Sequence, residues 1–527
     1  MCGIFLYYVK DGIIRKELMR HLLINYEKID HRGPDKHTLS MYGNCLAGFH
    51  RLAINDTSDK GDQPFELNEE FLMCNGEIYN YDELQSQHNF PLNSKSDCEI
   101  LLHMFQKYGI DQALSMIDGV FAMVYVTKTD IHMIRDRVGV KPLFYSLSLD
   151  NKSLAIGSEP ISLDGIHDDI KEVLPSTYTS FSKDGNYLNT TTYFTFPDTP
   201  SDLDEENAIV QIKEKLINAV KKRLSTDRPI GCLLSGGLDS SLIASILSKE
   251  LHKKNVKLKT FSVGFHDSTD LVYARKVAEY LGTDHHEFMI TYENALEFIP
   301  TIVKCLGSYD TTTVRASTPM YMLCKWINEN YKEKVIFSGE GSDEIFCGYL
   351  YSHNAPTSND LFIDSYRLVN QLYKYDVLRA DRCTAGNSLE FREPFLDQEL
   401  LDTVLRLSGN LRKPAMYNDV SFEKYILRKA FEGYLPEDIL WRRKAAFSDA
   451  VSGSVKPWYR WIHEYIDTKK FDSVDFGGTK ESNFYKTLFA VHYKKYRPDI
   501  PLWLPQWSDT GNEPSATVLN VYNKSEH

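Results

Sequence analysis

Residues 229–251 combine the residue types that bind a phosphate group. An apolar run at 230–234 predicts a buried strand, and the loop Ser-Gly-Gly-Leu-Asp-Ser-Ser follows at 235–241. Apolar residues then recur at helical spacing as far as Leu251. Amides of a Gly-Gly turn and of a helix start converge on one point, and small residues let an anion approach closely. No Gly-x-x-x-x-Gly-Lys-[Ser/Thr] pattern is present, so an ordinary P-loop is not predicted.

A second loop of this design follows another apolar run. The run Val-Ile-Phe at 335–337 predicts a strand, and Ser-Gly-Glu-Gly-Ser-Asp-Glu follows at 338–344. Strands that alternate with helices predict a parallel sheet, whose ligands lie at the carboxyl ends of its strands. The alternative interpretation of residues 338–344 is an ordinary solvated turn without a ligand. Two such loops in one sheet favour a Mg²⁺ site shared by Asp239 and Asp343.

Cys2 is a candidate nucleophile because of its position. A small second residue normally permits removal of Met1, which would leave a thiol and an α-amine on one residue. With a pKa of about 7.7–8, such an amine can act as a base near neutral pH. A lone cysteine is more often a small buried apolar residue. The choice between these interpretations depends on the surrounding residues.

Further polar residues in the first 100 positions suit an amino-acid substrate. Arg51 lies in a predicted strand and Asp97 at a predicted helix start, and an Arg with an Asp matches both charges of an α-amino acid. Asp97 could instead cap the helix. Asn75-Gly76 could be a hairpin turn. It could also form an oxyanion hole from the Asn75 side chain and the Gly76 amide.

Composition limits the possible partners. The chain has 527 residues and a net charge of −13, which argues against a nucleic-acid or anionic-membrane partner. Nine dispersed cysteines indicate a reducing compartment. No apolar run approaches the roughly 20 residues of a membrane span, and the first residues lack a signal-peptide pattern. We therefore expect a cytoplasmic protein.

The pattern of elements predicts two domains. Residues 2–196 are rich in strands with few helices, which favours an α+β domain of two stacked sheets. A segment at 197–206, rich in acidic and helix-breaking residues, predicts a linker. Residues 205–508 predict an α/β domain with a doubly wound parallel sheet, mostly helical after 359. Residues 509–527 form a polar tail.

Taken together, these motifs resemble those of glutamine-hydrolysing asparagine synthetases. Met-Cys-Gly-Ile, His-Arg-Gly-Pro-Asp, His-Arg-Leu and Asn-Gly-Glu-Ile-Tyr-Asn resemble a class II glutamine amidotransferase domain. Ser-Gly-Gly-Leu-Asp-Ser-Ser resembles the PP-loop ATP pyrophosphatases, and Phe-Ser-Gly-Glu-Gly-Ser-Asp-Glu with Pro-Phe-Leu-Asp points to asparagine synthetases among them. The resemblance implies an Ntn-hydrolase-like sandwich of antiparallel sheets followed by an adenine nucleotide alpha hydrolase-like domain.

The resemblance also implies a reaction. L-Aspartate, ATP, L-glutamine and water would give L-asparagine, AMP, pyrophosphate and L-glutamate, with ammonia crossing an internal tunnel to meet a β-aspartyl-AMP intermediate. Cys2 would attack the glutamine amide while Asn75 and Gly76 hold the oxyanion. The implied glutamine-binding residues are Arg51, Leu52, Ala53, Ile54, Asn55, Asn75, Gly76, Glu77 and Asp97.

In the second half the resemblance assigns an ATP site, an aspartate site and reacting groups. Thr312 and Arg315 match the aspartate site, and Glu340 and Lys444 match groups that form and stabilise the intermediate. Asp239 and Asp343 would bind Mg²⁺. The implied ATP-binding residues are Leu233, Ser235, Gly236, Gly237, Asp239, Ser240, Val263, Ser338 and Gly339.

Two departures from the family pattern leave alternatives open. Ala445 replaces an expected acid, and Glu393 stands where an apolar residue usually precedes Pro-Phe-Leu-Asp. They motivate a related PP-loop amidotransferase that acts on another carboxylate, although β-lactam synthetases lack the N-terminal cysteine that this chain keeps. A catalytically weak regulatory homologue is the other alternative. The family also suggests a homodimer.

Overall fold

The structure is a computed structural model that describes residues 1–184, 188–444, 447–452, 456–469, 476–508, 511, 513–515 and 519. Ala445 and most of the predicted tail at 509–527 lie outside these residues. Among the described residues, no helix combines the length and apolarity needed to cross a bilayer.

Two six-stranded sheets form the first half of the chain. One has the order β10-β8-β9-β1-β3-β2 and the other β12-β11-β7-β6-β5-β4, and neighbouring strands in both sheets are antiparallel. The prediction of two stacked antiparallel sheets is confirmed. The strands are β1 Gly3–Val9, β2 Lys36–Tyr42, β3 Cys45–Arg51, β4 Phe65–Leu67, β5 Glu70–Ile78, β6 Gly119–Val126, β7 Asp130–Arg135, β8 Phe144–Leu147, β9 Ser153–Gly157, β10 Ile170–Glu172, β11 Thr177–Ser182 and β12 Leu188–Thr192.

Strand β1 is buried on both faces. Its side chains Ile4, Leu6 and Tyr8 pack in one core cluster with residues of the facing sheet, such as Met73 and Val124. Alternate residues of the strand therefore join different cores, which explains the nearly continuous apolar sequence. Three helices flank the sheets: α1 Lys16–Glu27, α2 Tyr81–His88 and α3 Glu99–Met116.

Asn75 and Gly76 lie inside β5 and do not form a turn. Asn75 pairs with Ala122 and Gly76 with Phe121 on β6, so the hairpin interpretation of this dipeptide is wrong. A Cβ on Gly76 would lie 2.3 Å from the Val120 carbonyl oxygen, so only glycine fits. Close contact between strands, rather than a turn, accounts for this glycine.

A five-stranded sheet of order β15-β14-β13-β16-β17 organises the second half. All four of its strand pairs are parallel, as predicted. Its elements in chain order are α4 Glu205–Lys222, β13 Ile230–Leu233, α5 Leu238–His252, β14 Lys259–Gly264, α6 Thr269–Leu281, β15 Asp284–Met289, α7 Tyr292–Leu306, α8 Thr311–Asn330, β16 Val335–Phe337, α9 Ser342–Ile345, α10 Ser358–Gln371, α11 Asp376–Ala385 and β17 Glu390–Arg392.

After β17 the chain is mainly helical, as predicted. A two-stranded ribbon formed by β18 and β19 interrupts the helices. The remaining elements are α12 Gln398–Leu405, α13 Gly409–Arg412, β18 Ala415–Tyr417, β19 Val420–Phe422, α14 Tyr425–Ala430, α15 Glu437–Leu440, α16 Phe447–Ala450, α17 Trp458–Lys469 and α18 Lys480–His492.

The two halves share an apolar core and buried polar contacts. Leu52 and Val120 of the first half belong to the same core cluster as Leu234 and Phe337 of the second. The Arg32 guanidinium donates to both carboxylate oxygens of Asp381 at 2.9 and 3.0 Å, and both residues are buried. The carboxyl ends of β13 and β16 therefore lie close to the interface between the halves.

Candidate active sites

Cys2 directly precedes β1, with Met1 still attached. The Cys2 thiol donates to the Leu52 carbonyl oxygen at 3.7 Å, and its backbone N–H donates to Asn75 Oδ1 at 2.9 Å. Met1 is buried, and its amino group donates to the Leu389 carbonyl oxygen at 3.4 Å. Burial raises the pKa of the Cys2 thiol above its usual value. The structure therefore brings the predicted nucleophile to Asn75.

The Asn75 side-chain amide is suited to an oxyanion hole. Its Nδ2 is buried and has no hydrogen-bond partner in the described part of the chain. A buried amide donor without a partner is unusual and points to an absent ligand. Because Asn75 Oδ1 binds the Cys2 amide, Nδ2 is held beside the nucleophile.

Arg51 binds its own loop in this structure. Its Nη1 donates to the Ser58 carbonyl oxygen and to Asp62 Oδ1, both at 2.7 Å, and its Nη2 donates to the Asp56 carbonyl oxygen. These bonds order the segment that contains Leu52, Ala53 and Ile54. Its predicted contact with the glutamine carboxylate stays a prediction.

Asn55, Glu77 and Asp97 form one buried polar cluster. Asn55 Nδ2 donates to Glu77 Oε2 at 2.8 Å and to Asp97 Oδ1 at 3.2 Å. The Ile78 N–H donates to Asp97 Oδ2 at 2.7 Å, and burial raises the pKa values of both acids. Residue 98 occupies the N-cap of α3. The interpretation of Asp97 as that cap is therefore wrong.

A cavity of about 250 Å³ at the carboxyl ends of β13, β14 and β16 gathers most residues predicted for the synthetase site. This position agrees with the expectation for a parallel sheet. Gly236 and Arg315 do not line it. The predicted residues that do are Leu233, Ser235, Gly237, Asp239, Ser240, Val263, Thr312, Ser338, Gly339, Glu340, Asp343 and Lys444.

The Gly-Gly turn keeps the shape of an anion cradle. Gly236 has φ +74, and a Cβ there would lie 2.5 Å from the backbone nitrogen of Ala274. Gly237 is the N-cap residue of α5, and no side chain there accepts a hydrogen bond from the first amides of the helix. The first amides of α5 therefore remain available to an anion.

Two lysines bind the predicted metal ligands. Lys424 Nζ lies 2.6 Å from Asp239 Oδ2 and 2.7 Å from Asp343 Oδ1, and Lys444 Nζ lies 2.6 Å from Asp343 Oδ2. Burial alone would raise the pKa of Asp343, but the two lysines lower it below its usual value. Burial alone would lower the pKa of Lys444, but the carboxylates of Asp343 and Asp239 raise it above its usual value.

Glu340 faces the same cavity from the loop after β16. Its Oε2 accepts a hydrogen bond at 2.6 Å from Arg379, which also binds Asp376 Oδ1 at 2.6 Å. Burial raises the pKa of Glu340 to about 7, although Arg379 opposes the shift. A carboxyl group with a pKa in this range can accept or donate a proton near neutral pH.

The two residues predicted for aspartate are separated. Thr312 lines the cavity, and its hydroxyl donates to Asp310 Oδ2 at 2.6 Å. Arg315 is buried away from it, where its guanidinium binds Glu481 and Glu513, each with a closest contact of 2.6 Å. The structure therefore brings Thr312, but not Arg315, to the cavity lined by the loop after β13.

Sequence reasoning missed Lys424 and Arg379. Lys424 follows β19 and has φ +56, while Arg379 lies within α11. Neither belongs to a motif near the loops that it contacts, so only the fold brings them to the cavity. Their signal in the sequence is weak, because each lies among other charged residues: Arg428 and Lys429 follow Lys424, and Lys374 and Arg382 flank Arg379.

Comparison with known families separates the chain into the same two parts. The glutamine amidotransferase domain family matches residues 1–194, and the asparagine synthase family matches residues 211–364 and 363–506. These matches define the class of the protein as an amidotransferase domain joined to a synthase domain.

Relatives of the full chain narrow the class. Asparagine synthetase [glutamine-hydrolyzing] of Gallus gallus is 37% identical over 570 residues, with 100% of both chains covered. A probable asparagine synthetase of Acanthamoeba polyphaga mimivirus is 38% identical and covers 99% of this chain and 100% of its own. The chain belongs to the family of glutamine-hydrolysing asparagine synthetases.

Among solved structures, a glutamine phosphoribosylpyrophosphate amidotransferase of B. subtilis shows a weak likeness. It is 15% identical, has a TM-score of 0.33, and covers 55% of this chain and 81% of its own. So weak a likeness carries no further inference.

Proposed function

We propose that this protein forms L-asparagine, AMP, pyrophosphate and L-glutamate from L-aspartate, ATP, L-glutamine and water. The observation that carries the proposal is full-length similarity to glutamine-hydrolysing asparagine synthetases, together with a candidate site in each half. One site has a cysteine beside an unpaired amide donor, and the other has a Gly-Gly cradle beside carboxylates.

In the first half, the Cys2 sulfur would attack the amide carbon of glutamine. The carbon–nitrogen bond then breaks, ammonia leaves, and water hydrolyses the resulting thioester to glutamate. Removal of Met1 would free the Cys2 amine to act as the base. Asn75 Nδ2 and the Gly76 amide would stabilise the oxyanion, and the cluster of Asn55, Glu77 and Asp97 would bind the substrate ammonium.

In the second half, the β-carboxylate of aspartate would attack the α-phosphorus of ATP. Pyrophosphate leaves, and ammonia then displaces AMP from the acyl-adenylate. The turn at 235–237 and the start of α5 would bind the pyrophosphate, which supports AMP rather than ADP as the product. Glu340, whose pKa of about 7 permits proton transfer, would accept a proton from the attacking ammonia, and Lys444 would stabilise the charged intermediate.

We propose Asp239 and Asp343 as the ligands of Mg²⁺. Proteins commonly hold this ion through one or two carboxylates and the substrate phosphates, and these two carboxylates share two ammonium groups at one cavity. When bound, the ion supplies positive charge that neutralises the phosphates. In this proposal the phosphates of ATP supply further ligands of the ion.

Further proposals concern the chain as a whole. We place the domains at residues 2–196 and 205–508, with the linker ending at the start of α4. A homodimer follows from the family resemblance and is testable by analytical ultracentrifugation.

The structure has nine free cysteines, which supports a reducing, cytoplasmic setting.

Product analysis with each nitrogen donor tests the proposed function. The protein with aspartate, ATP, Mg²⁺ and glutamine should form asparagine and AMP. Cys2→Ala should lose glutamine-dependent synthesis but keep ammonia-dependent synthesis, because only the first site loses its nucleophile. ADP in place of AMP, or no asparagine from either donor, would contradict the proposal.

A further inference from the structure

A second cavity, of about 410 Å³, lies between the two halves of the chain. Strands β8 and β10 contribute to its lining from the first half, and the segments 373–378 and 496–500 contribute from the second. Among the described residues, it shares no lining with the cavity at the ends of β13, β14 and β16, and none of the residues proposed for glutamine, ATP or aspartate lines it. The proposed reaction therefore leaves this interdomain cavity without a role.

Arg382 lines the interdomain cavity and is 1% exposed. Its Nη1 lies 3.2 Å from Glu159 and 3.5 Å from Asp381, and donates to a backbone carbonyl at 3.5 Å. Both carboxylates also contact Arg32, and Glu159 contacts His31. Nε and Nη2 of Arg382 are buried and have no hydrogen-bond partner in the described part of the chain. The guanidinium is thus compensated in charge but not in hydrogen bonds, which is unfavourable without a ligand.

The unpaired edge of Arg382 has the geometry that binds a carboxylate. A guanidinium can donate two parallel hydrogen bonds to the two oxygens of one carboxylate. The chain itself uses Nε and Nη2 in this way at two other places. Arg315 donates from these atoms to Glu481 at 2.9 and 2.6 Å, and Arg275 donates from them to Glu287 at 2.6 and 2.7 Å.

The other charged groups of the lining leave an excess of positive charge. Two pairs are neutral: Arg135 Nη1 lies 2.7 Å from Glu172 Oε1, and Lys171 Nζ lies 3.3 Å from Asp169 Oδ2. Lys374 and Arg497 donate to backbone carbonyl oxygens at 2.9 and 2.8 Å, which does not neutralise them. Asp499 is the remaining acid of the described lining, so these two cations outnumber it. The cavity therefore favours an anion.

An apolar surface adjoins the unpaired edge of Arg382. The Arg382 guanidinium carbon lies 5.7 Å from the centre of the Phe144 ring, and this ring packs edge-on against Tyr496 at 5.6 Å. Both rings line the cavity, together with Tyr373 and Leu378. Mainly apolar walls with a few polar groups are typical of sites for small organic molecules.

We propose that the interdomain cavity binds an organic carboxylate with an apolar body. Its two carboxylate oxygens accept hydrogen bonds from Nε and Nη2 of Arg382, and its body packs against Phe144 and Tyr496. No covalent bond forms or breaks. The site is separate from the proposed reaction and does not depend on it. Because both halves line the cavity, the bound acid stabilises their association.

Calorimetric titration of the full-length protein tests the site. The probes are phenylacetate and 4-methylpentanoate, each compared with its own neutral amide, so that the outcome does not depend on one apolar body. Each acid should bind at least about tenfold more tightly than its amide, because only the acid offers two charged acceptors to Arg382. If neither acid binds more tightly than its amide, the inference is overturned.

Arg382→Lys keeps the positive charge beside Glu159 but removes the two-atom edge. It should weaken phenylacetate binding about tenfold and leave phenylacetamide binding unchanged. Arg275→Lys is the matched control, because the same edge of Arg275 binds Glu287 at the surface and does not line the cavity. Unchanged phenylacetate affinity in Arg382→Lys would overturn the inference.

Lys374→Glu tests the location of the site without altering the buried ion pairs. It places a negative charge on the lining, so it should weaken phenylacetate binding about threefold and leave phenylacetamide binding unchanged. Lys257→Glu changes the net charge equally at an exposed position before β14 and should have no effect. Where Arg382→Lys does not fold, as thermal unfolding reports, this pair decides. Equal phenylacetate affinities in Lys374→Glu and Lys257→Glu would then overturn the inference.

Discussion

At the residue scale, the synthetase cavity depends on charge balance between two acids and two lysines. Asp239 and Asp343 face each other across Lys424, which is 1% exposed, and Lys444 lies 3.9 Å from Asp239. Removing one member of a buried ionic group leaves an uncompensated charge. The lysines therefore hold the carboxylates in position before substrate arrives.

We predict that Lys424→Met destabilises the substrate-free protein by about 3 kcal/mol, because Asp239 and Asp343 then lose the cation between them. Adding Mg²⁺ and ATP should recover much of this loss, since the ion replaces the missing charge. Thermal unfolding with and without Mg²⁺–ATP measures both effects. Lys429→Met, which removes a partly exposed pair between α14 and Glu432 just after it, should change stability by less than about 1 kcal/mol. Equal losses in the two variants would contradict the prediction.

At the element scale, the turn between β13 and α5 sets the geometry of the proposed phosphate site. The backbone of Gly236 is left-handed and packs against Tyr273 and Ala274 at α6. Its carbonyl oxygen accepts from Arg442 Nη1 at 3.0 Å. The turn is therefore held from both sides, which fixes where its amides point.

Gly236→Ala should lower ammonia-dependent AMP formation about a hundredfold, because the Cβ displaces the phosphate-binding turn. Glutaminase activity should be retained, since Cys2 lies in the other half. The two rates are measured as AMP and glutamate formation. Gly433→Ala is the matched control: it has φ +82 but nothing within 4 Å of its Cβ, so it carries backbone strain alone. A normal AMP rate in Gly236→Ala would show that the turn tolerates displacement.

Helices and strands whose apolar residues recur at a regular spacing were predictable from the sequence. The apolar run, loop and helix expected at 229–251 are observed as β13 and α5 with nearly the same bounds. Asn75-Gly76 was ambiguous, because the dipeptide favours a turn locally whereas its pairing with β6 is a non-local contact. Lys424 and Arg315 could not be placed, because ion pairs across long sequence separations leave no periodic signal.

At the scale of the whole molecule, buried ion pairs fix the two halves relative to each other. The pair of Arg32 and Asp381 joins the first half to α11. Burial alone would raise the pKa of Asp381, but Arg32 and Arg382 lower it below its usual value.

Asp381→Asn should destabilise the protein by about 3 kcal/mol at neutral pH, because the buried Arg32 and Arg382 then share the single carboxylate of Glu159. A lowered pKa in the folded state stabilises the fold above the ordinary carboxyl pKa of about 3.9, and this contribution is lost as pH falls toward the lower folded value. The difference between wild type and variant should therefore be full at pH 7 and shrink below about pH 4.

Denaturant unfolding at several pH values measures this difference. Asp59→Asn, which removes an exposed partner of Lys36, is the control and should have little effect at any pH. A difference between wild type and Asp381→Asn that stays constant with pH would contradict the ionic explanation.

The buried position of Met1 bears on how the proposed nucleophile could be freed. Met1 is 2% exposed, and its amino group is bound to the Leu389 carbonyl oxygen of the second half. If Met1 is removed, as proposed above, we expect its removal before the second half docks, because the first half of a chain emerges and folds first. A chain that keeps Met1 would fold with the proposed nucleophile blocked.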